Sequence, residues 1–182
     1  RLLFGQTFAD ASDLADCLRA EGPGRRDIAF YILDPHVVLD AAPQELFLDP
    51  SHTSRLNLKT YEPASTAPRG FHIRRLESLQ DAEEINRVYA ARRMVTVAPN
   101  FFWENRDSDA ITYLVAVDDK TNTIVGTVTG VDHNAAFGDP EKGSSLWCLA
   151  VDTQSTLPCI GEALVRSLSE HFKKHACSYM DL

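Results

Sequence analysis

The sequence is poor in the features that place a chain quickly. It has four cysteines, Cys17, Cys148, Cys159 and Cys177. They form no C-x-x-C pair and have no histidine at metal-finger spacing, which argues against a disulfide framework or a metal module and points to a reducing, cytoplasmic compartment. No apolar run nears the roughly 18 residues that span a bilayer, and the N-terminus lacks the apolar stretch of a secretory signal. Basic charge is also scarce: 18 Lys and Arg stand against 26 Asp and Glu, a net charge of -8. That balance argues against nucleic acid or an anionic membrane as main partner, because both reward a basic surface. Internal repeats and low-complexity tracts are missing too.

What is present suits a soluble globular protein. The 182 residues, 44% hydrophobic and 24% charged, hold one full core, alone or with a smaller appendage. Residues 1–61 read as a small α/β appendage. Asp13 to Arg19 has amphipathic helical spacing ended by Gly22, Pro23 and Gly24, and Ile28 to Leu33, His36 to Leu39 and Glu45 to Leu48 read as short strands. Residues 62–69, E-P-A-S-T-A-P-R, combine two prolines with small residues and read as a linker.

Residues 70–182 read as the main domain. Phe71 to Leu76 alternates as a strand, and Ser78 with Asp81 caps a helix that places Ala82, Ile85, Val88 and Tyr89 at helical spacing. Pro99 to Arg106 reads as a short helix opened by proline. Ile111 to Val117 and Thr123 to Val131 flank the turn D-D-K-T-N and predict an antiparallel hairpin. Asp132 and His133 are read as turn residues after it. Ser144 to Val151 is almost continuously apolar, which predicts a central strand buried on both faces, with an inert, buried thiol at Cys148. Ile160 to His175 puts Ile160, Ala163, Leu164, Leu168 and Phe172 on one stripe. Cys177 to Leu182 begins a last strand, so the C-terminal part of the domain is expected to follow. The order is β-α-α-β-β-β-α-β.

The chemically informative segment is L-A-V-D-T-Q-S-T-L-P-C-I-G-E-A-L, Leu149 to Leu164. A strand breaks into a loop that opens onto the strongest helix, and free backbone N-H groups converge there with the positive end of the helix dipole, which suits a phosphate. Gly161 alone admits a second explanation, close packing of helix on strand. Cys159, at the helix start, is expected to be the more reactive thiol.

This strand, loop and helix, in this element order, resemble the acetyl-CoA signature Q/R-x-x-G-x-G/A of the GNAT superfamily of N-acetyltransferases. The matching window is Thr156-Leu157-Pro158-Cys159-Ile160-Gly161. The runs V-T-G-V-D-H-N-A-A-F-G-D-P-E-K-G-S-S-L-W-C-L-A-V-D and G-E-A-L-V-R-S-L-S-E-H-F are similar, more specifically, to the acetyltransferase region of N-acetylglutaminylglutamine synthetases. That resemblance implies a mixed, mostly antiparallel sheet flanked by helices, a C-terminally linked ATP-grasp ligase, and acetyl transfer to glutamine or glutaminylglutamine in osmolyte dipeptide synthesis. It also implies that main-chain groups of Leu149, Ala150 and Val151 pair with the pantetheine arm. Amides of Leu157, Cys159, Ile160, Gly161, Glu162 and Ala163 would cradle the diphosphate. Thr156 stands where the family carries Gln or Arg, Pro158 has no N-H, and Cys159 stands where the family has glycine. A non-catalytic CoA-binding or docking domain of a larger ligase is the alternative that these departures motivate.

Attack of an amine on a thioester needs a proton acceptor and an oxyanion donor. The Leu149 amide is the donor that the resemblance implies. Asp181 and Glu104 are the candidate bases, each also readable as a surface or structural carboxylate. Arg92, Arg93, Phe101 and Trp103, in the turn between the first two helices and the start of the second, are the candidate acceptor site: an arginine for a carboxylate, aromatics for a wall. The alternative is a solvated arginine pair beside core aromatics. No metal is expected.

Overall fold

In a computed structural model of the chain, residues 2–23, 29–47, 53–63 and 68–182 are described. The chain divides into two compact units, Arg1–His52 and Thr53–Leu182. The division lies ahead of the linker expected at 62–69, part of which falls outside the described residues. Its physical reason is a three-residue strand, Arg55–Asn57, that hydrogen-bonds into the sheet of the second unit.

In the first unit, β1 (Leu2–Phe4) pairs in parallel with β2 (Ala29–Tyr31). The helix α1 (Ala11–Arg19) lies between them in sequence, and its N-cap Asp10 accepts the amides of Ser12 and Asp13. His36 to Leu39, expected as a strand, lies in a helix, α2 (Pro35–Ala41). Pro35 at its first turn presets the helical φ, and Val38 is buried with Leu14 and Ala15 of α1. The strand expected over Glu45 to Leu48 does not form as far as Phe47, which is 86% exposed; Leu48 is outside the described residues.

The second unit is a six-stranded sheet in the order β3-β8-β7-β6-β5-β4. Its strands are β3 (Arg55–Asn57), β4 (Phe71–Arg75), β5 (Ile111–Asp118), β6 (Ile124–Asp132), β7 (Gly143–Val151) and β8 (Tyr179–Asp181). Every neighbouring pair is antiparallel except β7 with β8. Two longer connections are helical: α3 (Leu79–Ala91) and α4 (Pro99–Glu104) lie between β4 and β5, and α6 (Ile160–Lys174) lies between β7 and β8; α5 (His133–Phe137) is a single short turn between β6 and β7.

The sheet separates two cores, and β5 shows how its alternation feeds both. Tyr113, Val115 and Val117 face Ala82, Ile85, Val88 and Tyr89 of α3 and Phe102 of α4. Leu114 and Ala116 face Ile160, Leu164, Leu168 and Phe172 of α6. Each fully buried side chain of this size contributes about 1.5 to 3 kcal/mol. The expected cap of α3 is present in full, with Ser78 accepting from the Asp81 amide and Asp81 accepting from the Ser78 amide. α6 sits close because β6 has glycine beneath it. A Cβ on Gly130 would stand 2.5 Å from Leu168 Cδ1, and one on Gly126 would stand 2.7 Å from Ile160 Cγ2.

Candidate functional site

The strand β7 changes character half way along. Gly143, Ser144 and Ser145 are buried, with β8 beside them in parallel through Tyr179, Met180 and Asp181. From Leu146 onward β6 alone lies beside the strand among the described residues. There Thr129 pairs with Trp147 and Thr127 with Ala150, so that Cys148 and Leu149 together oppose the single residue Val128. This is a β-bulge, a device that breaks pairing and re-aims backbone groups. Cys148 adopts the left-handed φ of 51°. Burial on both faces is therefore confined to the first half of β7. Cys148 is exposed, contrary to expectation, and Leu149 is 38% exposed. The Cys148 thiol interacts with the buried Tyr89 hydroxyl, and burial keeps the neighbouring Tyr113 phenol up at about 12.

After β7 the chain is pinned at Asp152. This buried carboxylate accepts the Gln154 amide at 2.9 Å and the guanidinium of Arg87 from α3, and Arg87 also donates to the Ile124 carbonyl at 2.7 Å. Burial works against its ionisation, but the Gln154 amide and Arg87 overcome that and lower its pKa. The loop then carries exposed Thr156, Pro158 and Cys159 into α6. Cys159 is the N-cap, left-handed at φ 60°, ψ 20°, without a side-chain cap bond.

The first-turn amides of Ile160, Gly161 and Glu162 have no acceptor within the helix, by the geometry of any helix start. The Ala163 amide differs from the expectation: it donates to the Cys159 carbonyl at 2.9 Å and is already used by the helix. The Leu157 amide is partly used as well, by Ser155 Oγ at 3.3 Å. Close packing does not account for Gly161. A Cβ there would meet only Val151 Cγ2, at an ordinary 3.7 Å, so the residue forgoes about 0.5 to 1 kcal/mol of helix stability without a packing gain. Glu162 is paired with Arg166 at 2.7 Å.

Beside the bulge is an open cleft of about 340 Å³ lined by Arg92, Met94, Leu149, Ala150 and Val151. Arg92, the C-cap of α3, donates from Nε to the Val151 carbonyl at 2.6 Å. The structure thus brings Arg92 together with the candidate cofactor residues Leu149, Ala150 and Val151, and Val151 with Gly161. The other candidates are elsewhere. Arg93 is exposed in a left-handed turn at φ 58°. Phe101 is 48% exposed, whereas Trp103 is half-buried beneath the Arg106 guanidinium, 4.0 Å from its ring centroid. Glu104 is exposed at the end of α4. Asp181 is buried opposite Ser145, and Arg55 holds it bidentately at 2.7 and 2.9 Å. With a guanidinium N-H on each oxygen, it has the surroundings of a structural carboxylate.

Two contacts escaped sequence reasoning. No spacing connects Arg87 with Asp152, or His133 with β7. His133, read as a turn residue, is buried, with Nε2 2.9 Å from Ser145 Oγ, to which Trp147 Nε1 donates at 2.8 Å. Burial lowers its pKa. Among the described residues, no group of His, Cys, Asp and Glu is placed to hold a metal ion, and no helix is long and apolar enough to cross a membrane.

No protein-family model matches the chain, and no curated protein matches its sequence. Similar solved structures include a GCN5-related N-acetyltransferase from Sphaerobacter thermophilus, at 16% identity and a TM-score of 0.54, covering 71% of this chain and 40% of that one. An aminoglycoside acetyltransferase from an uncultured soil metagenomic sample is 19% identical with a TM-score of 0.50, covering 59% of this chain and 72% of that one. At these identities the likeness is one of fold: the chain has the mixed, mostly antiparallel GNAT sheet flanked by helices.

Proposed function

From its GNAT fold, we propose that this chain is an N-acetyltransferase that moves acetyl from acetyl-CoA to the amine of a small molecule. The observation that carries this reading is the bulged, one-sided second half of β7 running into the start of α6, where Gly161 leaves room that packing does not need. Bound acetyl-CoA supplies the activated thioester. Main-chain groups of Leu149, Ala150 and Val151 hold the pantetheine arm as a strand partner would, and the bulge aims the Leu149 amide at the carbonyl oxygen. The amides of Ile160, Gly161 and Glu162, supported by those of Cys159 and Leu157, receive the diphosphate at the positive end of α6. Thr156 adds no charge there.

The acceptor site is assigned to the turn after α3 and to α4, where Arg93, Phe101 and Trp103 offer a cation and aromatic surface. Glutamine or glutaminylglutamine is the acceptor we propose, from the resemblance of residues 128–152 and 161–172 alone to N-acetylglutaminylglutamine synthetases. Of the two candidate bases, exposed Glu104 is the freer, since Asp181 is held by Arg55. That engagement, with the uncharged cradle at Thr156 and Pro158, favours one rival: a non-catalytic CoA-binding domain that docks beside an ATP-grasp ligase. The two separate on turnover. Incubation with acetyl-CoA and glutamine or glutaminylglutamine is expected to release CoA thiol and give an N-acetylated product by mass spectrometry. Tight acetyl-CoA binding without CoA release for any amine supports the docking domain instead.

A further inference from the structure

We propose that Arg92 supplies the cationic contact to the cofactor diphosphate that the loop itself lacks at Thr156. This rests on the reading of β7 and α6 as an acetyl-CoA site, and it moves Arg92 from the acceptor side to the cofactor side. Three observations converge on Val151. Its carbonyl takes Arg92 Nε at 2.6 Å. Its Cγ2 is the nearest atom to the space above Gly161. It lines the same cleft as Arg92 and Leu149. One residue therefore separates the guanidinium from the first turn of α6.

The anchoring matters for affinity. A guanidinium carries five N-H donors. Spending Nε on Val151 fixes the plane of the group and leaves the two terminal nitrogens for an anion, at little further cost in side-chain entropy. The nearby acid does not compete. Asp152, which feels the Arg92 charge, is occupied by Arg87 and by the Gln154 amide. The cation is delivered from the end of α3 rather than from the loop, which is why the loop tolerates Thr156.

The test uses the whole 182-residue chain and two probes, CoA and pantetheine, the second keeping the arm without any phosphate. Affinities are measured by calorimetry for CoA and by competition at millimolar concentration for pantetheine, with the variants Arg92→Gln and Arg92→Lys. Gln keeps a donor for the Val151 carbonyl and loses the charge. Arg92→Gln is expected to weaken CoA binding by about ten- to a hundredfold, the worth of a charged hydrogen bond. Its pantetheine binding stays unchanged, and Arg92→Lys recovers part of the CoA loss. Unchanged CoA affinity in Arg92→Gln overturns the assignment. An equal loss for CoA and pantetheine overturns it as well, since Arg92 would then act only by shaping β7. A wild-type chain that binds neither probe refutes the acetyl-CoA site itself, and Arg92's role with it.

Discussion

Cys159 offers a perturbation in which fold and ligand are expected to respond in the same direction. It holds φ 60° at the N-cap of α6, is exposed, and makes no side-chain cap bond. A non-glycine residue in the left-handed region costs roughly 1 to 2 kcal/mol. Cys159→Gly relieves that strain, while the unfolded chain gains freedom worth about 0.4 to 1 kcal/mol against folding. The net expectation is a stabilisation of about 0.5 to 1 kcal/mol, or about 1 to 4 °C in Tm for a chain of this size. Cys159→Ala is the control, because it removes the sulfur and keeps the strain. If the start of α6 receives a diphosphate, Cys159→Gly also opens the approach to the amides, and acetyl-CoA binds several-fold tighter than to Cys159→Ala. Thermal unfolding with and without acetyl-CoA reads both effects. A Tm for Cys159→Gly below that of Cys159→Ala refutes the strain argument. A raised Tm with equal or weaker acetyl-CoA binding refutes the cradle.

Other residues give independent tests. Asp152→Asn removes the charge that holds Arg87 to the end of β7 and is expected to cost about 1 to 3 kcal/mol in urea unfolding at pH 7. Because the folded pKa of Asp152 is lowered, that contribution is present above the ordinary carboxylate pKa near 4 and is lost as pH falls through the folded value. The gap between wild type and Asp152→Asn should therefore close in acid. His171 behaves oppositely to a stabilising cation: burial, then the neighbouring His175, lowers its pKa to about 4. The unfolded chain takes up that proton near 6.5, so wild-type stability should decline between pH 6.5 and 4 more than that of His171→Gln, in paired urea melts at pH 8 and 5. Gly130→Ala drives a methyl into Leu168 and Phe172. It is expected to cost about 1 to 3 kcal/mol by chemical denaturation.

Local patterns carried most of the second unit. The stripe of α6, the Ser78–Asp81 cap and the hairpin of β5 and β6 are each patterns of neighbouring residues, and the structure has all three. The apolar run Val37-Val38-Leu39 in α2 is too short to distinguish a helical from a strand period, and Pro35 at the first turn decides for the helix. β3 was unreadable as part of the main sheet: R-L-N has no pattern, and its partner Asp181 is 126 residues away from Arg55. At the site, the strand-to-helix junction was legible from Leu149 to Leu164. The bulge was not, because an extra residue in an apolar strand leaves no mark on composition, and it is what brings Cys148 and Leu149 to the surface. Nor does the sequence link Arg92 to Val151, a contact set only when α3 lies against β7.

The most direct measurement is a titration of the isotope-labelled chain with acetyl-CoA, followed by backbone amide NMR. Shifts are expected at Leu149, Ala150 and Val151 and at Cys159, Ile160, Gly161 and Glu162, with little change at Ala163, whose amide already serves the helix. Shifts confined to other parts of the sheet, or none at saturating acetyl-CoA, would contradict the assignment of this junction as the cofactor site.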